Sequence, residues 1–225
     1  MRFHFVTLFA DACDAYLSAS ILGRARKDKK ISVSYQNPRD FVAGAPGSYK
    51  KVDDRPYGGG PGMVMQALPV IKAVEKIFRK VTPFKKKGKK RGVIVWFSPS
   101  GKQFNNKDAD ALLKYDDVVL VCGRYEGIDD RAKKILKTLG TLKEFAVGEA
   151  VYTGGEVPAL AIVDAMTRRI PGVLGKDASV EERRVASHAV YTRPETITYK
   201  KKNYRVPKVL QTGHHANIDK WRENK

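Results

Sequence analysis

Cysteine is nearly absent: the 225 residues include only Cys13 and Cys122, far apart and without CxxC spacing. That excludes a disulfide framework or a zinc site of paired thiolates, and it fits a reducing, cytoplasmic setting. Long apolar runs are missing too. No stretch approaches the roughly 20 residues needed to cross a bilayer, so no membrane partner is expected. The apolar N-terminus, MRFHFVTLFADACDAYL, is interrupted by Asp11 and Asp14 before any cleavage-like site. No Gly-Lys-Ser/Thr follows the glycine cluster at 58–62, which excludes a Walker A loop. No GxGxxG follows a clean strand, so a Rossmann dinucleotide site is unsupported. His214 and His215 have no third ligand at metal spacing, and no metal ligands are assigned. No internal repeat is visible. Negative charge is scarce: 24 Asp and Glu against 43 Lys and Arg leave a net charge of +19. A surplus of that size attracts a polyanion, of which nucleic acid is the commonest.

What is present is organised around residues 118–159. Val118 to Cys122 is an apolar run that meets Gly123-Arg124-Tyr125-Glu126-Gly127. Phe145 to Val147 meets Gly148-Glu149, and Thr153-Gly154-Gly155-Glu156 opens an apolar helical segment to Ile170. Clustered strand-to-loop junctions of this kind are the layout of an α/β ligand site, at the carboxyl ends of parallel strands. Upstream, strands are expected at Arg2–Phe9, Ile31–Tyr35 and Gly92–Phe97, the last ending in Ser98-Pro99-Ser100-Gly101. Helices are expected at Ala10–Lys27, Leu68–Lys80, Asn105–Lys114 and Asp129–Leu139. The alternation predicts an α/β fold with a parallel sheet over residues 1–175. Residues 176–190 are polar and read as a linker. Residues 191–225 form a short, basic C-terminal segment with interleaved tyrosines and a helix beginning near His214.

Four motifs carry a resemblance. Asp53-Asp54-Arg55-Pro56-Tyr57-Gly58-Gly59-Gly60-Pro61-Gly62-Met63, Cys122-Gly123-Arg124-Tyr125-Glu126-Gly127-Ile128-Asp129, Thr153-Gly154-Gly155-Glu156-Val157-Pro158-Ala159 and Ile170-Pro171-Gly172-Val173-Leu174-Gly175 resemble the bacterial tRNA (guanine-N1)-methyltransferases of TrmD type, in the SPOUT superfamily. The resemblance runs from Arg2 to Trp221. It implies methyl transfer from S-adenosylmethionine to N1 of guanine 37 of tRNA, a homodimer, and magnesium dependence. It also implies a C-terminal trefoil knot in the α/β domain, then a linker and a small helical C-terminal domain. That last domain is expected to be truncated here, since only four residues follow Trp221.

By the same resemblance Ser98, Pro99, Gly101, Gly123, Val147, Gly148, Glu149, Ala150, Val151, Tyr152, Gly154 and Gly155 line the cofactor pocket. Asp54, Tyr57, Gly59, Glu126, Arg193 and Tyr204 are expected to bind substrate. Guanine N1 is protonated at neutral pH, and its loss of a proton moves charge to O6. The reaction needs a base at N1 and a cation at O6. Arg168 matches the family's catalytic arginine; a surface ion pair with Asp164, one turn earlier, is the competing role. Where the family places an acidic base, four positions before Tyr-Thr-Arg-Pro, this chain has Ser187. His188, Glu181 and Glu182 are the neighbouring candidates for that proton. Two other readings stay open: a non-catalytic RNA-binding SPOUT protein, and a SPOUT methyltransferase acting on another RNA position.

Overall fold

The computed structural model describes residues 1–45, 47–81, 92–175 and 189–223. The candidates Glu181, Glu182, Ser187 and His188, and the basic loop Lys85–Arg91, lie outside the described residues. The chain divides into two compact units, Met1–Val173 and Leu174–Lys225.

The first unit is built on five parallel strands: β1 (Arg2–Val6), β2 (Ser32–Gln36), β5 (Gly92–Gln103), β6 (Asp117–Val121) and β7 (Thr141–Ala146). Their order across the sheet is β2-β1-β6-β5-β7. Two-residue strands β3 (Asp53–Asp54) and β4 (Val64–Met65) pair antiparallel at the base of the glycine-rich arm. The helices are α1 (Ala10–Leu17), α2 (Ser20–Lys27), α3 (Ala67–Val81), α4 (Asn106–Leu112), α5 (Asp130–Leu139) and α6 (Glu156–Thr167).

The central strands are apolar without alternation because both of their faces are covered. Phe3, Phe5, Val93, Val95, Val118 and Leu120 join one core with residues of α1, α2, α4 and α6. Their neighbours Val6, Ile94, Trp96, Val119 and Val121 join a second core with α3 and α5. Successive side chains on a strand point to opposite faces, so one run of sequence feeds two layers of helix.

At the amino end of the sheet Asp117, 1% exposed, gathers two partners. Arg2 holds it through Nε and Nη2 at 2.5 and 2.6 Å, and His4 Nε2 lies 2.9 Å from it. Burial by itself raises the Asp117 pKa, but these bonds win and hold it below the ordinary carboxylate range.

Two expected elements change in the structure. The single helix over Ala10–Lys27 is two helices, broken at Ser18–Ala19, with Ser20 at φ +49°. Arg26 bonds Asp14 and Ser18 across the break, and Cys13, Leu17, Leu22 and Ala25 reach the same core. The first strand stops at Val6, short of the expected Phe9.

In the second unit, β8 (Thr196–Tyr199) and β9 (Lys202–Arg205) form a hairpin, followed by a 3-10 turn over Lys208–Gln211 and α7 (His215–Glu223). Tyr191 and Trp221 pack at 6.3 Å between ring centroids. The sequence reading gave the helix but not the hairpin.

Candidate active site

Three loops leave the carboxyl ends of β5, β6 and β7 and close around one cavity of about 310 Å³. The loop of β5 is a bulge: its pairing with β7 jumps from Phe97↔Phe145 to Lys102↔Phe145, which leaves residues 98–101 out of register. Gly101 is required there. A Cβ would sit 2.7 Å from the Phe145 carbonyl carbon and 2.9 Å from the Ala146 nitrogen. The loop of β6 is joined to the start of α6 by a backbone bond, Gly155 N–H to the Gly123 carbonyl at 2.8 Å. Gly155 has no room for a side chain either, since a Cβ would meet Cys122 Cα at 2.7 Å.

Of the residues assigned by resemblance, Ser98, Pro99, Gly123, Val147, Ala150, Val151, Tyr152, Gly154 and Gly155 line this cavity, together with Glu126. Gly101, Gly148 and Glu149 belong to the same loops but not to its wall. The Gly148 carbonyl accepts a bond from Gln103 Nε2 at 2.9 Å, tying the β7 loop to the end of β5. The arm carrying Asp54, Tyr57 and Gly59 reaches the cavity's rim through Glu126. Glu126 N–H donates to Met63, and Met65 N–H to Gly127. Asp54 is exposed; the Arg55 backbone N–H and the Lys51 ammonium lower its pKa. Tyr57 is fully exposed at the tip. Arg193 and Tyr204 are exposed in the second unit.

Arg168 lies just past the last turn of α6, its N–H bonded to the Asp164 carbonyl at 3.1 Å. The Asp164 carboxylate accepts from the Tyr16 hydroxyl at 2.7 Å. The cavity, in contrast, lies at the first turn of α6.

The sequence reading assigned no role to Arg124, Glu156, Thr7 or Phe9. Arg124 lines the cavity, with Glu156 Oε2 at 2.9 Å from its Nε and the Phe9 ring 4.3 Å from its Cζ. Glu156, 4% exposed, also accepts from the Thr7 hydroxyl at 2.7 Å. Arg124 and Glu156 lie inside quoted motifs and were legible as candidates; nothing in sequence links Thr7 to a residue 149 positions away. Burial pushes the Cys13 thiol pKa up to about 11 and that of Cys122 well up, the Glu156 charge adding to both and Arg124 opposing.

The family model described as tRNA (Guanine-1)-methyltransferase TrmD matches residues 1–225. The chain belongs to that family. A relative from Lachnospira eligens named tRNA (guanine-N(1)-)-methyltransferase is 39% identical, over 100% of this chain and 89% of the relative. One of the same name from Campylobacter jejuni is 38% identical, over 97% of this chain and 88% of the relative. A third, from Shewanella sediminis, is 38% identical over 99% and 86%. In this TrmD-family chain no helix among the described residues is long and apolar enough to cross a membrane.

Proposed function

We propose that the protein transfers a methyl group from S-adenosylmethionine to N1 of guanine 37 in tRNA, as a cytoplasmic homodimer. The observation that carries this reading is the cavity closed by loops 98–101, 123–127 and 147–155 in a chain of the TrmD family. Its volume, about 310 Å³, falls in the range of small-molecule sites. Its lining includes Gly123, Gly127, Gly154 and Gly155, and neither Gly154 nor Gly155 has room for a Cβ. Such a wall suits a ligand read by main-chain groups. When bound there, the donor supplies a methyl already activated on a sulfonium, so the protein's own task is alignment and proton removal.

The chain's path supports a knot at this site. After β7, at the sheet edge, the backbone passes β5 and bonds Gly155 to Gly123 at the end of β6. The expected base lies in 181–188, with His188 favoured over Ser187 because a serine hydroxyl is too weak a base at neutral pH. Arg168 is the cation for O6. It follows a helix of 12 residues whose first turn borders the cavity, which puts its backbone about 18 Å along the axis from that wall. One chain's Arg168 therefore serves a cavity of a second chain, and this supports a site shared between subunits. Exposed Phe9 just before α1, with Tyr16, Ile21 and Val157 on α1, α2 and α6, supplies apolar surface for that contact. The exposed, basic hairpin β8–β9 and a helix α7 make up the described part of the small RNA-binding unit.

Among the described residues no group of three or more His, Cys, Asp or Glu is placed to hold a metal. Among the described residues Glu126 is the one carboxylate on the cavity wall, and no step is routed through magnesium.

The test is incubation with methyl-labelled donor and unmodified tRNA, followed by mapping of the label. Label on guanine 37 is the expected result. Label elsewhere makes the protein a methyltransferase of another RNA position. RNA binding without transfer makes it a non-catalytic binder.

A further inference from the structure

Among the described residues two charged side chains line the cavity, Arg124 and Glu126, and a further carboxylate sits behind the wall against Arg124. Arg124 lines the cavity and Glu156 does not. The carboxylate is hydrogen-bonded at one oxygen and ion-paired by proximity at the other: Oε1 accepts from Thr7, itself 1% exposed, and Oε2 lies 2.9 Å from Arg124 Nε without hydrogen-bond alignment. Glu156 also sits in the first turn of α6, where the helix dipole favours an anion. Gly154 keeps the pair close, because a Cβ there would run into Arg124 Nε and stand 2.7 Å from Glu156 Oε2. Phe9 covers the guanidinium on another side.

The charge matters because donor and product differ in charge. S-adenosylmethionine has an ammonium, a carboxylate and a sulfonium, and is a net monocation. On transfer the C–S electron pair stays on sulfur, the N1 lone pair forms the new N–C bond, and the N1 proton leaves to the base. The remaining thioether, S-adenosylhomocysteine, is net neutral. An unbalanced cation in the wall repels the donor and leaves the product untouched.

We propose that Glu156, held by Thr7, is a charge-compensating positioning residue that lets Arg124 occupy the wall while the pocket keeps its preference for the cationic donor over the neutral product. This rests on reading the cavity as the donor's site. Removing one charge of the pair shifts the donor-to-product affinity ratio with a sign set by the charge left behind.

The experiment is calorimetric titration of the full chain with S-adenosylmethionine and with S-adenosylhomocysteine, with melting curves as the check on folding. Glu156→Gln lowers donor affinity relative to product on the order of ten-fold. Arg124→Gln moves the ratio in the opposite direction. The Arg124→Gln/Glu156→Gln double variant returns it near the wild-type value, whatever its absolute affinities. Glu156→Asp keeps the charge and retains most of the wild-type ratio. If Glu156→Gln does not fold, the sign of the Arg124→Gln shift and the ratio in the double variant decide. Equal losses for both ligands, or shifts of the same sign in both single variants, overturn the proposal and leave a purely structural role. A Gly148→Val variant separates the two levels of inference. If it binds both ligands like wild type, the donor site is not this cavity and both readings fail. If it is defective while Glu156→Gln keeps the wild-type ratio, only the charge proposal fails.

Discussion

Gly148 has φ +73°, a backbone region that β-branched residues rarely enter, and its would-be Cβ stands 3.4 Å from the Tyr152 hydroxyl. Gly148→Val should therefore push the 147–152 loop off its course. Donor affinity is expected to fall at least ten-fold, about 1.4 kcal/mol, while the melting temperature stays within a few degrees. At Arg168 the expected loss is in rate. Removing a single donor to developing negative charge costs roughly 10²–10³ in turnover, so Arg168→Ala should show that fall in single-turnover methylation with donor binding unchanged. The same assay across pH identifies the base. His188→Ala is expected to lower the rate and remove the inflection near the imidazole range, whereas Ser187→Ala leaves both nearly intact. A full rate and unchanged profile for His188→Ala would transfer the role to Glu182, to be checked with Glu182→Gln. The family resemblance, more than residue type, singled out these positions in the sequence. Thr7 was not among them, because a hydroxyl at the end of a strand becomes meaningful only once folding puts Glu156 beside it.

At the scale of elements, the β8–β9 hairpin turns through Lys200 and Lys201, both with positive φ of 48° and 62°. Two-residue hairpin turns favour Asn-Gly at such positions, and a Lys-Lys pair gives no turn signal, which is why the hairpin was invisible in sequence. Replacing the pair by Asn-Gly should stabilise the second unit by about 1 kcal/mol, seen as slower exchange of its backbone amides, while RNA affinity falls with two charges lost. Ile197, Tyr199, Lys202 and Tyr204 share one face of this hairpin by register, and the aromatic members are more than half exposed. That face offers stacking and charge together. Within the first unit, Asp117 joins β1 to β6. Its pKa is depressed in the fold, so its stabilisation is complete above the unfolded value near pH 4 and is lost as pH falls through the lower folded value. Asp117→Ala should cost about 2–3 kcal/mol at pH 7 by loss of a buried paired carboxylate, and the gap from wild type in urea unfolding should narrow near pH 3. A constant gap across that range would remove the ion pairing from the explanation.

For the whole molecule the dominant property is charge. With 43 basic and 24 acidic residues, tRNA affinity is expected to fall linearly in log-log form as salt rises, by a slope near −0.9 for each phosphate neutralised. Filter-binding titrations from 50 to 200 mM salt check this, and a flat response would mean that base or shape contacts dominate instead. The dimer proposed for the active site adds a second test at the same scale. Mixing Arg168→Ala chains with Gly148→Val chains should restore part of the activity that each lacks, because one hybrid site then pairs an intact pocket with an intact arginine.

The sequence by itself determined the parallel α/β class, the apolar runs of its central strands and the glycine-rich loops that follow them. Each depends on local periodicity or on glycine, which a chain displays in order. It also fixed the basic balance and, through its motifs, the family. Tertiary structure alone decided which of those loops share a wall and that the 98–101 segment is a bulge within β5. It alone turned one expected helix into α1 and α2, set Arg168 at the end of α6 remote from the cavity, and placed Glu156 behind Arg124. Most of these depend on contacts between separate segments, from Phe97 with Phe145 and Arg124 with Glu156 to the far longer spans of Thr7 with Glu156 and Arg2 with Asp117. The energy of such contacts exists only after the sheet has ordered them.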